Sequence, residues 1–211
     1  VALAVQFLGF EVAVLVLAWV YDLWAAAVAG TVAVAVATVG SVEMLRIAQR
    51  VRDEAAPAAY RRLLFGSKVE VVLGILAFVA LVTHLFVFDP RHAGTPLVEV
   101  LFGSEPPVLV VYLTLLVLWD VCYRIGTAWW TSVVGLWRSA RLPIDDQAHH
   151  RFLRADLETL GFGLIQLALA PFVLDRPVLL GALLGHVLAV GVVTGASVGL
   201  LAHRKTSPES P

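Results

Sequence analysis

From Pro107 to Arg138 the chain reads PVLVVYLTLLVLWDVCYRIGTAWWTSVVGLWR, an apolar run broken in its middle by Asp120 and Arg124, four residues apart. About 20 apolar residues are enough to carry a helix across a bilayer. Barrel strands are only about 10 residues long and alternate with a polar face, so a strand reading fails here. The run reads as a membrane-spanning helix. Its two charges then require neighbouring segments that shield them from lipid.

Five further segments meet the same length criterion. The spans are placed near 1–20, 24–45, 69–88, 107–130, 157–174 and 178–202. The TVAVAVATV stretch of the second alternates like a half-buried strand. Its length, and the four-residue ladder Ala29, Ala33, Ala37, Ser41, favour a packed helix instead. The composition agrees: 60% hydrophobic and 15% charged residues, with mean hydropathy +0.88, is far from the roughly 25% charged average of soluble chains. The first segment has neither a basic n-region nor a small-residue cleavage site, so it is read as a span rather than a cleaved leader. The expected fold class is all-α, a polytopic transmembrane helical bundle forming a single membrane domain over residues 1–211.

Twelve of the 15 basic residues fall around the second and fourth connections and in the tail, whereas Arg91 and Arg176 lie on the other side. Positive flanks mark the cytoplasmic face, which predicts both termini inside a cell membrane. Tyr21–Leu23 and Asp175–Pro177 read as tight outer turns, and LVEVLFG within 89–106 as a short interfacial helix. Residues 46–68 and 138–156 read as helical extensions broken near Pro57 and Pro143. LGFEVAVLVLA (8–18) and LGFGLIQLALA (160–170) match faintly, which suggests a weak three-hairpin repeat.

A net charge of −1 leaves no basic field for nucleic acid. The single Cys122 excludes an internal disulfide. No phosphate loop, nucleophile elbow, HExxH or CxxC motif is present, so the reading leans away from an enzyme.

The candidate site residues are therefore the ionisable groups inside spans. Asp120 and Arg124 share one helix face in the favourable order. Glu11, near the centre of the first span, must be carried protonated or paired across helices. Arg124 is the intramembrane base available to it, which makes Glu11, Asp120 and Arg124 the expected polar cluster. His84 and His186, in the outer halves of the third and sixth spans, are candidate haem ligands, or else partners in interhelical hydrogen bonds. Asp145, Asp146, His149 and His150 are spaced for a cytoplasmic metal site or, more simply, for an ordinary helix start. Asp156, Glu158 and Arg154 read as a solvated entry into the fifth span, and Glu43 as an interfacial acid one turn from Arg46.

Gly191, Gly195 and Gly199 form a ridge suited to close helix packing, within the chain or against another copy. Three functional classes follow. The first is a small transporter or channel-like protein using the Glu/Asp/Arg cluster. The second is a structural or accessory membrane subunit whose polar groups fix packing. The third is a membrane-embedded enzyme or haem-binding redox subunit. The bilayer is the expected partner, and no cofactor is specified.

Overall fold

The expected turn at Tyr21–Leu23 forms around Asp22, whose φ of 55° lies in the left-handed region that Asp tolerates. It joins α1 (Ala2–Tyr21) to α2 (Trp24–Arg52). The computed structural model describes residues 2–52, 57–143 and 146–206, apart from the side chains of Ala2, Arg52, Asp146, Gln147, Lys205 and Thr206. Every element among the described residues is helical. After α2 come α3 (Ala58–Gly66) and α4 (Val69–Thr83). The chain continues through a π-helical stretch, His84–Phe88, into α5 (Asp89–His92). Then follow α6 (Leu97–Phe102), α7 (Val108–Arg141), α8 (Asp146–Ile165), a 3₁₀ stretch Gln166–Phe172, and α9 (Pro177–Thr206).

Prolines set several of these boundaries, because they lack the N–H that a helix interior needs. Pro57 and Pro96 stand as N-caps of α3 and α6 in extended backbone. The Asp89 carboxylate accepts the Leu97 N–H at 2.6 Å and so satisfies one free donor at the start of α6. The LVEVLF segment is thus helical, as its sequence suggested.

Among the described residues, five helices are long and apolar enough to cross a membrane by length and composition: Leu3–Tyr21, Trp24–Val51, Ala58–His92, Val108–Arg141 and Pro177–Arg204. Their outward faces support that reading. On α1, Val5, Leu8, Val12 and Val16 are exposed and Trp19 is 74% exposed; on α9, Leu184, Leu188 and Val192 are exposed. Contiguous apolar surface of this kind belongs against lipid or another protein. The 157–174 segment differs from the other five. It divides between the end of α8 and the 3₁₀ stretch, which holds Pro171. The bend expected from Gly161, Gly163 and Pro171 is realised as this change of helix type.

The chain divides into two compact units. The first holds residues 1–41 and 71–126. Its core is Val14, Ala18, Ala27, Val34 and Val117, flanked by Phe7, Phe10 and Leu113. Gly74 lets α4 close on α7: a Cβ there would stand 3.1 Å from the Tyr123 backbone. The second unit holds residues 42–70 and 127–211. Its core joins Ile47, Val51, Tyr60, Leu64, Val134, Phe152 and Leu201. Arg204 of α9 donates to the carbonyls of Ala140 and Leu142, satisfying acceptors left free at the end of α7.

Candidate functional site

In the first unit the ionisable groups are matched pairwise. Arg124 donates to Asp120 at 3.0 Å, one turn away, and its guanidinium lies 5.3 Å from the Tyr123 ring centroid. Gln6 of α1 donates to the other Asp120 oxygen at 3.2 Å. Glu11 accepts the Thr31 hydroxyl of α2 at 2.7 Å. The structure therefore brings Asp120 and Arg124 together, adds Gln6 to them, and joins Glu11 to Thr31. A small cavity of about 10 Å³, roughly the room of one water, is lined by Gln6, Thr38 and Asp120 among apolar neighbours. A larger groove of about 140 Å³ is apolar apart from Thr114, whose hydroxyl is already given to the Val110 carbonyl.

The second unit buries more charge. Arg138, near the end of α7, is 0% exposed and Asp156 of α8 is 6% exposed, and they pair at 2.7 Å. Ser139 and Ser197 complete the group: Arg138 donates to both hydroxyls, at 3.0 and 3.2 Å, and Ser197 donates to Asp156 at 2.7 Å. The guanidinium also lies over two rings, 4.4 Å from the Phe152 centroid and 5.4 Å from that of Tyr60. Burial pushes the Asp156 carboxyl above its ordinary range, while Arg138 and Ser197 pull it back. Two residues along α8, Glu158 meets Arg50 of α2 in a two-pronged ion pair. Glu43 of α2 is buried too, hydrogen-bonded to Thr159, with Oε1 left without a partner.

Two expectations are corrected here. Asp156 and Glu158 are not a solvated helix entry, because α2, α7 and α9 supply the groups that match them. Arg138 is not a free flanking charge, because α7 carries it inward on the same face as Thr131 and Val134, both buried. The sequence signal for this was available: Arg138 and Ser139 follow Val134 at helical spacing, and Asp156 sits on the Phe152, Ala155, Thr159 face of α8. What periodicity lacked was the pairing of helices.

Gly135 is the position that admits this cluster. A Cβ built there would lie 3.0 Å from Asp156 Oδ1, on a carboxylate whose other oxygen is held by Arg138 and Ser197. Gly135→Ala is therefore expected to lower stability by about 1–3 kcal/mol of overpacking, against the roughly 1 kcal/mol that Ala brings to a helix. Thermal unfolding in detergent should show a lower midpoint. Gly195→Ala, where nothing lies within 4 Å of the added carbon, serves as the control and should not fall.

The remaining candidates are dispersed. His84 belongs to the first unit and stacks on Phe88, with ring centroids 5.1 Å apart. His186 belongs to the second, and its Nε2 is buried without a hydrogen-bond partner. Asp145 lies outside the described residues, as does the Asp146 side chain. His149 is buried with its ring edge-on to His150, at 5.5 Å between centroids. Among the described residues, no group of three or more His, Cys, Asp or Glu is placed to hold a metal ion.

Comparison with known sequences places this architecture in a family. The chain belongs to a family of unknown function, DUF7530, which matches residues 1–197. Neither a curated protein nor a solved structure matches it.

Proposed function

We propose that the chain is a small transport protein of the cell membrane, channel-like in build, with six spans and both termini on the cytoplasmic side. The span added to the five long helices is the 157–174 segment, formed by the end of α8 and the 3₁₀ stretch. The observation that carries the reading is an excess of acid inside the second unit. Arg138 is matched by Asp156 and Arg50 by Glu158, and no further described cation pairs with Glu43. An ionisable group kept in a span without a charge partner is expensive, and its use in ion or proton movement accounts for its presence.

The experiment is reconstitution into liposomes under a panel of proton, cation and anion gradients. Wild type is expected to pass at least one of them, and Glu43→Gln to reduce that flux by tenfold or more with an unchanged thermal midpoint. Wild-type protein that passes none of them would remove the reading, and equal flux in both proteins would take Glu43 out of it.

A second reading has its own support. In the first unit Asp120 is met by Arg124 and Gln6, and Glu11 by Thr31, as packing groups in an accessory subunit would be. Gly195 and Gly199 face open space, with Gly191 against Leu160, so the ridge offers a surface to a second copy or partner. Under that reading Glu11→Gln and Asp120→Asn lower the thermal midpoint, loosen co-purifying partners and leave every flux alone.

A further inference from the structure

The seam between α8 and α9 holds more buried polar atoms than it has partners for. Two contacts fix its register as antiparallel: Ser197 against Asp156 at 2.7 Å, and the Cβ position of Gly163 at 3.5 Å from Val190. Followed away from Asp156, that register sets Thr194 level with Thr159 and brings His186 within one residue of the position opposite Gln166. Gln166 is 0% exposed and Thr194 1% exposed. Both ends of the Gln166 amide, the Thr194 hydroxyl, the His186 Nε2 and Glu43 Oε1 have no hydrogen-bond partner.

A buried polar group left unpaired carries the whole cost of its desolvation. Five such atoms along one seam, all in the same unit, would together cost a large share of the stability of a protein this size. Bound water, which makes about three hydrogen bonds to groups of this kind, removes that cost.

At one end of the file stands Glu43. The charged groups on the elements packed about it are already matched: Glu158 of α8 with Arg50 of α2, and Asp156 of α8 with Arg138 of α7. On α2, Arg46 is exposed, and α9 contributes the hydroxyls of Thr194 and Ser197. The Thr159 hydroxyl lies 3.1 Å from the Ala155 carbonyl and is the hydrogen-bond partner of Glu43.

We infer that this seam is a proton path: Glu43 takes up and releases the proton, and Thr159, Thr194, Gln166 and His186 pass it along through bound water. The step moves a proton alone. An O–H bond forms on the Glu43 carboxylate as one breaks on the neighbouring water, and the reverse releases it. The inference rests on the transport reading above and names its ion.

The test reads Glu43 directly, by infrared spectroscopy of the full chain in nanodiscs on transfer from H₂O to D₂O. A protonated carboxyl band that shifts in D₂O is expected in wild type. It should be absent in Glu43→Gln, present at a moved frequency in Glu43→Asp, and at least tenfold slower to exchange in Gln166→Leu with Thr194→Val. A band that survives Glu43→Gln, or exchange as fast in the double variant as in wild type, overturns the path. Liposomes loaded with a pH-sensitive dye separate the two claims. Proton flux lost in Glu43→Gln and in the double variant supports both. If the band behaves as expected but wild-type liposomes pass no ion, the path stands and the transport reading fails. If wild type passes an ion and neither variant changes it, transport stands and the path falls.

Discussion

Arg138→Met is expected to destabilise the protein by about 3–5 kcal/mol, because it leaves Asp156 buried without its cation. The methionine fills much of the arginine's volume, so the loss reports charge rather than a cavity. A second substitution distinguishes the two: Asp156→Leu combined with Arg138→Met removes the stranded charge and should recover most of the loss, since apolar replacement of a buried pair is often neutral. Arg138→Lys should recover less, because all three contacts are made by the terminal Nη2, farther out than a lysine nitrogen extends, and because the ammonium lacks the planar face laid over Phe152.

The sign of the pH effect follows from burial. Without Arg138, desolvation is opposed by the Ser197 hydrogen bond and no longer by a cation, so the Asp156 carboxyl rises further above its unfolded value and the folded state binds the extra proton. Its contribution is then complete below the unfolded carboxyl value and lost as pH rises through the raised folded value. The deficit of Arg138→Met should therefore grow from mildly acid to mildly alkaline buffer. A deficit that shrinks with pH would mean that Asp156 is not the group left stranded. The fluorescence of Trp130 and Trp137, which pack against the second unit's core, provides the unfolding signal.

The two sites were unequally legible in the sequence, and the difference is physical. Asp120 and Arg124 stand out because they interrupt an apolar run and lie one helical turn apart, so both their cost and their partner are written locally. The breaks at Pro57 and Pro96 are equally local, since a missing N–H acts where it sits. Arg138 and Asp156 belong to sequences rich in charge, which resemble the solvated flanks that orient a membrane protein. Their burial depends on Ser197 and Phe152 arriving from elsewhere in the chain. A count of basic residues cannot register such an arrival. Glu11 shows the converse limit. Depth along a helix placed it near Arg124, whereas rotation about the helix axis, which depth does not contain, turned it to Thr31. The 157–174 segment was legible as apolar, and its charge-bearing start at Asp156 was misread because the groups that match it, Arg138 and Ser197, come from other helices.

Phe152 is where charge and packing in the second unit can be measured apart. Its ring is buried, meets Tyr60 edge-on at 5.5 Å between centroids, and lies 4.4 Å beneath the Arg138 guanidinium. Phe152→Ala opens a cavity at the junction of α3, α7 and α8 and is expected to cost about 3–5 kcal/mol. Phe152→Leu keeps most of the apolar volume and removes the aromatic face, so its cost should be nearer 1–2 kcal/mol, the worth of a desolvated cation–π contact. A double-mutant cycle with Arg138→Met tests that assignment. If the ring stabilises the guanidinium, Phe152→Leu should lose most of its effect once Arg138 is gone, giving a coupling of about 1–2 kcal/mol. The same cycle through Tyr60→Leu should give a smaller coupling, since that ring stands 5.4 Å from the guanidinium. Additive costs in the Phe152 cycle would assign the ring's whole contribution to packing. The Arg138 N–H groups that have no hydrogen-bond partner, Nε and Nη1, would then have to be met by water rather than by the aromatic face.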